Sequence, residues 1–429
     1  FSTTLTAVGS GGTPTYTYAW SNGATTASTS VSPSVTTTYT VTVTDSKGCT
    51  KTDAVVVTVN PLPNVDAGAD VAICNGFSTT LTAVGSGGTP TYTYAWSNGV
   101  NTASQTVSPT ATTTYTVTVT DSKGCTKTDA VVVTVNPLPN VDAGADVAIC
   151  NGFSTTLTAV GSGGTPTYTY AWSNGVNTAS QTVSPTATTT YTVTVTDSKG
   201  CTKTDAVVVT VNPLPNVDAG ADVAICNGFS TTLTAVGSGG TPSYTYAWSN
   251  GATTAVTSVS PTATTTYTVT VTDSKGCTKT DAVVVTVNPL PNVDAGADAA
   301  ICNGFSTTLT AVGSGGTPGY TYAWSNGVNT ASQTVSPTAT TTYTVTVTDS
   351  KGCTKTDAVV VTVNPLPNVD AGVDVAICNG FSTTLTAVGS GGTPTYTYAW
   401  SNGVNTASQT VSPTVTTTYT VTVTDSKGC

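Results

Sequence analysis

A repeat of 76 residues runs through the whole chain and limits what it can fold into. Near-identical blocks begin at six phenylalanines: Phe1, Phe77, Phe153, Phe229, Phe305 and Phe381. Repetition at this spacing is typical of arrays in which each period is one structural unit. The core is therefore divided into small units near the lower size limit for independent stability, and such units usually need staples or neighbours.

An Asn-Pro-Leu-Pro-Asn segment marks each boundary between repeats, as at residues 212–216. Its two prolines fix φ and hold the preceding residues extended, which indicates a short, stiff linker. The predicted domains are residues 1–60, 61–136, 137–212, 213–288, 289–364 and 365–429. We expect the first to lack its first strand and the last to lack its last strand. Because the chain has no Met, we expect it to be a segment of a longer protein.

Inside each repeat the hydrophobic period is two. Large residues alternate with threonines from Tyr191 to Thr196, which is the pattern of a half-buried strand. In the repeat 137–212 we predict strands at 147–150, 153–160, 167–172, 180–183, 191–196 and 206–211. Turns rich in Gly, Asn, Asp and Pro separate them. Short antiparallel strands at this density predict an all-β fold, a β-sandwich without helices.

The aromatic residues of the repeat lie on two of these strands. Tyr168, Tyr170 and Trp172 share one face by the period-two rule, and Tyr191 begins the penultimate strand. The three could form a sugar-stacking platform. The opposite face of their strand offers only Thr and Ala, so something large must fill the core from this side. We therefore predict Trp172 and Tyr191 as core residues.

The composition excludes most enzymatic classes. The chain has no His, its 11 cations are all Lys, and its 21 anions are all Asp. The usual general acids, zinc ligands and bidentate phosphate clamps are therefore missing, and we predict neither an enzyme nor a cofactor. A formal charge of −10 disfavours nucleic acid as a partner. No apolar run is long enough to cross a bilayer, so we predict no membrane insertion.

The 11 cysteines recur at fixed positions and point to an oxidising, extracellular setting. The disulfide candidates are Cys74, Cys125, Cys150, Cys201, Cys226, Cys277, Cys302, Cys353, Cys378 and Cys429. Pairing Cys150 with Cys201 would close a loop inside one domain, worth about 4 kcal/mol. A sandwich, however, places the first turn and the last hairpin roughly 25–30 Å apart, whereas bonded α-carbons lie within about 7 Å.

A second pairing joins neighbouring domains, and a third possibility leaves the cysteines unpaired. The second pairing gives Cys74–Cys201, Cys150–Cys277, Cys226–Cys353 and Cys302–Cys429, which would bolt each junction. Spacing alone does not choose among the three. A leftover cysteine such as Cys49 is most simply an edge effect, because no His is present to activate it as a nucleophile.

Four aspartates of the repeat are candidate ligands for calcium. Asp142 and Asp146 open the first predicted strand, and Asp197 and Asp205 flank the last hairpin. The sandwich predicts that these charges gather at one pole beside the linker, where carboxylate oxygens could hold a weakly bound calcium ion. The competing interpretation is turn chemistry, because Asp-Ser-Lys-Gly favours a hairpin by itself.

Several motifs of the repeat resemble a known family. Residues 163–166, 168–175, 191–197 and 200–201 look like the repeats of Bacteroidota gliding-motility adhesins, the SprB repeat family. The unit is also similar to polycystic-kidney-disease-type and other immunoglobulin-like modules. The resemblance implies a tandem array of six immunoglobulin-like β-sandwich domains in a cell-surface or secreted protein exported by the type IX route. Polycystic-kidney-disease-type modules usually carry acidic residues where this chain has Ser173-Asn174-Gly175, so we transfer no site from them.

The near-identity of the repeats bears on function. No repeat has its own constellation of polar groups, which a specific site would require. We therefore expect a structural stalk or filament segment of a secreted adhesin, at roughly 35–40 Å per domain and about 200 Å in all. The alternative is a multivalent module that binds carbohydrates or surfaces. Expected partners are neighbouring domains, identical chains packed laterally into a fibre, and an unknown extracellular surface or glycan.

Overall fold

The computed structural model describes residues 1–429, which divide into two compact units, Phe1–Val211 and Asn212–Cys429. Every regular element is a β-strand, and no helix long and apolar enough to cross a membrane is present. Each unit contains three repeats. A complete repeat has eight strands, which we label β1 to β8 and name identically in every repeat.

In the repeat 137–212, β1 to β8 are Pro139–Asp142, Val147–Cys150, Thr155–Thr158, Val160–Gly163, Thr169–Trp172, Ser180–Val183, Thr189–Thr196 and Thr202–Asn212. In the repeat 61–136 they are Pro63–Asp66, Val71–Cys74, Thr79–Thr82, Val84–Gly87, Thr93–Trp96, Ser104–Val107, Thr113–Thr120 and Thr126–Asn136. In the repeat 213–288 they are Pro215–Asp218, Val223–Cys226, Thr231–Thr234, Val236–Gly239, Thr245–Trp248, Val256–Val259, Thr265–Thr272 and Thr278–Asn288. In the repeat 289–364 they are Pro291–Asp294, Ala299–Cys302, Thr307–Thr310, Val312–Gly315, Thr321–Trp324, Ser332–Val335, Thr341–Thr348 and Thr354–Asn364.

Each complete repeat is a sandwich of one four-stranded sheet and two strand pairs. The four-stranded sheet has the order β2-β8-β7-β5, and the pairs are β1-β4 and β3-β6. All neighbours are antiparallel except β2, which runs parallel to the end of β8, so that Cys74 lies beside Asn136. The strands β3 and β4 are separated by one residue, the buried Ala159 in the repeat 137–212. This topology confirms the all-β, immunoglobulin-like class predicted from the repeat.

The core lies between the two layers and is built by the period-two alternation. In the repeat 137–212 it contains the following buried residues: Ala143, Ile149, Leu157, Ala159, Trp172, Val183, Tyr191, Val193, Val207 and Val209. Trp172 is 3% exposed and Tyr191 is 8% exposed. On β7 threonines alternate with the buried Val193 and Val195, and on β8 Ala206, Val208 and Thr210 alternate with the buried Val207 and Val209.

Two of the predicted strand assignments differ from the structure. The segment predicted as a linker continues into β1 at Pro139, and the Gly-rich segment predicted as a turn contains β4, Val160–Gly163. The two strands pair with each other, from Pro139 with Gly163 to Asp142 with Val160. The predicted strand 153–160 is correspondingly shorter, Thr155–Thr158. A complete repeat therefore has eight strands, more than the six or seven that the sequence predicts.

The first and last repeats each form fewer strands. In residues 1–60 the strands are β3 Thr3–Thr6, β5 Thr17–Trp20, β6 Ser28–Val31, β7 Thr37–Thr44 and β8 Thr50–Val57. In residues 365–429 they are β1 Pro367–Asp370, β3 Thr383–Thr386, β4 Val388–Gly391, β5 Thr397–Trp400, β6 Ser408–Val411 and β7 Val421–Thr424. Residues 8–11 and 375–378, which correspond to β4 and β2 of the complete repeats, form no strand in these two repeats.

Candidate functional site

Disulfides join consecutive repeats within each unit. In the first unit Cys74 is bonded to Cys201, with their α-carbons 5.6 Å apart. In the second unit Cys226 is bonded to Cys353 and Cys302 to Cys429, with α-carbon distances of 5.6 and 5.5 Å. Each bond spans 127 residues and connects the end of β2 in one repeat to the β7–β8 hairpin of the next. We call such a bond a junction staple.

Local geometry brings the two ends of a staple to the linker. Cys74 lies beside Asn136, the last residue of β8 before the linker, and the Asn136 carbonyl accepts a 2.9 Å hydrogen bond from the N–H of Asn75. At the other end, Pro139 closes the linker and packs against Gly164, which in turn touches the Asp197 carboxylate of the hairpin. The staple and the proline linker therefore cross the junction side by side.

The remaining cysteines divide into bonded and free ones. Cys150 and Cys277 are also disulfide-bonded, whereas Cys49, Cys125 and Cys378 are free. The bond of Cys201 to Cys74 excludes the intradomain pairing of Cys150 with Cys201. Cys125 and Cys378 were disulfide candidates and are unpaired. Cys201 is completely buried, but the free Cys125 at the same place in its repeat is partly exposed.

The aspartates of the repeat bind backbone N–H groups and tie strands together. Asp197 accepts hydrogen bonds of 2.9 Å from the N–H groups of Thr165, Lys199 and Cys201, and thereby holds the hairpin that carries the staple. The other three aspartates each accept one such bond of 2.8 Å: Asp142 from Gly144, Asp146 from Val208, and Asp205 from Ala143. We call these contacts aspartate clamps.

At two of the corresponding aspartates, Asp349 and Asp357, backbone hydrogen bonds favour the charged carboxylate and lower its pKa. The N–H of Thr317 is the main cause that lowers the pKa of Asp349; burial opposes it, and the N–H groups of Cys353 and Lys351 lower this pKa further. The pKa of Asp357 is also lowered, chiefly by the N–H of Ala295. Hydrogen bonds to the ionised form are the physical reason in both cases.

The expectation that these charges gather at one pole is wrong. Asp197 binds Cys201 at the hairpin, whereas Asp146 binds Val208, seven residues farther along β8, which corresponds to about 23 Å of strand. No group of three or more Asp or Cys side chains that could hold a metal ion is present. The four predicted ligands, Asp142, Asp146, Asp197 and Asp205, are therefore spread along the repeat and form no such group.

The aromatic strand directs its polar atoms inward. The Tyr168 hydroxyl donates to the carbonyl of Gly163, and the Tyr170 hydroxyl accepts a 3.1 Å hydrogen bond from the N–H of Gly161. The indole N–H of Trp172 donates to the carbonyl of Thr178 at 3.0 Å. Gly161 lies against the Tyr168 ring, where an added Cβ would be 3.0 Å from its Cγ atom. This arrangement fixes the β4–β5 connection, and the side chains of Tyr168 and Tyr170 remain half-exposed.

Sequence reasoning missed one buried polar contact. The Asn174 side-chain amide donates to Gln181 Oε1 at 2.6 Å, and the buried Gln181 Nε2 has no hydrogen-bond partner. In the repeat 213–288 the same contact joins Asn250 to the Thr257 hydroxyl at 3.1 Å. Comparing the repeats with one another could have revealed it, because this position is Gln in some repeats and Thr in others while the Asn is constant.

The fold and the staples define a tandem array of immunoglobulin-like β-sandwich repeats. Residues 224–253, from β2 to β5 of the repeat 213–288, match the SprB repeat family. This match confirms the resemblance to SprB repeats for these residues, and near-identical stretches recur at 76-residue intervals. No curated protein matches the chain in sequence.

Solved structures that are similar to this chain are themselves arrays of several domains. The eight N-terminal Ig domains of Down Syndrome Cell Adhesion Molecule match at 14% identity and a TM-score of 0.25, over 90% of this chain and 62% of that one. The I-band fragment I67–I69 from titin matches at 14% identity and a TM-score of 0.31, over 54% of this chain and 99% of that one. The human Desmocollin-1 ectodomain matches at 13% identity and a TM-score of 0.21, over 82% of this chain and 93% of that one. At these scores the fold class rests on the strand topology described above.

Proposed function

We propose that the chain is a mechanical spacer: a stalk or filament segment of a secreted bacterial surface adhesin. The observation that carries the proposal is the junction staple. A disulfide beside a proline linker gives a junction two covalent connections and restricts bending between repeats. Such bonds hold one repeat to the next, which a spacer requires and independently moving binding modules do not.

Three further observations support this function. The repeats differ at few positions, and none has a polar constellation of its own. The tyrosine hydroxyls on the aromatic strand are bonded to the backbone, which disfavours the alternative of a multivalent carbohydrate-binding module. Disulfides persist in oxidising compartments, so we place the protein outside the cell or on its surface. Lateral packing of identical chains into an attachment fibre stays a prediction.

Small-angle scattering on the oxidised full-length chain tests the spacer function. An extended array of about 200 Å has a radius of gyration near 60 Å, from roughly 35–40 Å per domain. A compact protein of this length has one of about 22 Å. A value near 22 Å would refute the spacer. If the chain bound to a glycan array and a single repeat did not, the result would favour the multivalent alternative instead.

A further inference from the structure

The staples create a covalent path that is much shorter than the polypeptide chain. Cys74 and Cys353 are 279 residues apart in sequence. The bond Cys74–Cys201 and the bond Cys226–Cys353 remove most of that distance. Only the 25 residue steps from Cys201 to Cys226 have to be followed along the backbone.

We propose that the junction staples act as a strain limiter, which transmits tension along this short path and shields most of each repeat from it. Under tension the shortest covalent path becomes taut first, and any longer path in parallel with it stays slack. Residues 75–200 and 227–352 lie on such bypassed loops. The segment from Cys201 to Cys226, here called the tension-bearing segment, remains in the path.

The lengths show how strong the effect is. A fully extended chain reaches at most about 3.6 Å per residue, so the tension-bearing segment reaches about 90 Å. The two staples add 5.6 Å each between α-carbons. Cys74 and Cys353 can therefore separate by about 100 Å, whereas the same residues in a chain without disulfides could separate by about 1,000 Å. The staples reduce the extension available to this part of the chain tenfold.

The tension-bearing segment is already extended in the folded protein. It consists of β8, Thr202–Asn212, followed by the linker and the strands β1 and β2 of the next repeat, Pro215–Asp218 and Val223–Cys226. If each repeat adds the 35–40 Å expected of a spacer, two repeats occupy about 70–80 Å of the available 90 Å. The array would then have almost no slack. This last step rests on the proposed function, whereas the covalent shortcut follows from the disulfides alone.

Reduction releases the limit. A dithiol reductant gives two electrons and two protons to each disulfide, which becomes two thiols, while the dithiol becomes a cyclic disulfide. The bypassed loops then join the tension path. The extensibility of the chain is thus set by its redox state, and in an oxidising compartment it stays low.

Single-molecule pulling on the full-length chain tests the limiter. Handles are attached through non-canonical amino acids at Leu62 and Leu366, which are 57% and 47% exposed. We expect a maximal extension between the handles of about 190 Å when the chain is oxidised and about 1,100 Å when it is reduced. The double substitution Cys74→Ser and Cys201→Ser should lengthen the oxidised limit about threefold.

The control is Cys125→Ser, which removes a free thiol between the same handles and should leave the oxidised limit unchanged. Equal extension of oxidised and reduced chains would overturn the limiter, and the reduction arm gives this answer without any variant that has to fold. Pulling reports the covalent limit whatever the resting shape of the array. A small radius of gyration together with a low maximal extension of the oxidised chain would therefore reject the spacer function and support the short covalent path.

Discussion

Gly240 follows β4 and lies close to Asp273 of the β7–β8 hairpin, whereas Gly276 lies in the turn of that hairpin, so replacing each by alanine separates steric contact from backbone strain. Both glycines have positive φ, 56° and 80°. An added Cβ at Gly240 would lie 2.7 Å from Asp273 Oδ2 and 2.9 Å from the backbone nitrogen of Pro215, whereas one at Gly276 would meet nothing within 4 Å. At Gly240 the end of β4 lies close to Pro215, at the start of β1, and to the carboxylate of Asp273. The site at Gly276 is open.

The two substitutions should therefore differ in cost. Both place an L-residue in the left-handed region, at about 1–2 kcal/mol. At Gly240 the Cβ also displaces backbone atoms of Pro215, which cannot rotate away, and overpacking of this kind adds about 1–3 kcal/mol. For domains of this size each kcal/mol lowers the melting temperature by about 4–8 °C. The Gly240-type variant should thus melt at least about 4 °C below the Gly276-type variant.

Because the repeats are nearly identical, the change is made in all four complete repeats and calorimetry is performed on the oxidised full-length chain. The contact variant carries alanine at Gly88, Gly164, Gly240 and Gly316. The strain control carries alanine at Gly124, Gly200, Gly276 and Gly352, all of which have positive φ and no atom within 4 Å of the added Cβ. Melting temperatures that agree within about 2 °C would refute the close approach of β1, β4 and the clamp.

Three further predictions concern protons, thiols and calcium. The pKa values of Asp121, Asp197, Asp273 and Asp349 are lowered from the ordinary 3.8 in the folded chain, so the stabilisation from these four aspartates is present above that pH and is lost as the pH falls through the folded pKa. Replacing the four by Asn should flatten the drop in melting temperature between pH 4 and pH 2, and an unchanged slope would contradict this role. A thiol reagent added to the denatured, unreduced chain should titrate three of the 11 cysteines, and eleven would disprove the staples. Exchanging EDTA for millimolar calcium should leave the melting temperature unchanged, because the predicted aspartates form no group that could hold the ion; a rise of several degrees would reveal a site elsewhere.

Alternation in the sequence was enough to predict the strands that build the core. Tyr191 to Thr196 lies within β7, and Trp172 is buried as expected. The strands β1 and β4 were missed for a physical reason. Pro139–Asp142 and Val160–Gly163 have no strong alternation, and the second resembles a turn because of its glycines. They become strands by pairing with each other, from Pro139 with Gly163 to Asp142 with Val160.

The same reasoning explains why the candidate site could be predicted only in part. The 127-residue pairing of cysteines was one of three arrangements, because the sequence around a cysteine does not name its partner. Placing the aspartates required the register of β8: Asp146 binds a backbone N–H at Val208 and Asp205 binds one at Ala143. Neither contact follows from the spacing of residues along the chain. Turn chemistry, the competing interpretation, described Asp197 well, because two of its three bonds lie within the hairpin.

The aspartate clamps and the staples act on the same part of the repeat. Between Cys201 and Cys226, Asp205 accepts the N–H of Ala143 and Asp222 accepts that of Val284, so the tension-bearing segment is tied to both repeats it crosses. Its strand β8 also pairs with β7 at eight positions. Antiparallel hydrogen bonds lie perpendicular to the strands, so tension along β8 strains these bonds together and not one by one. The position on β6 that varies between Gln and Thr, as at Gln181 and Thr257, lies instead in the bypassed loops. A spacer limited in this way can vary those loops without weakening the path that resists extension.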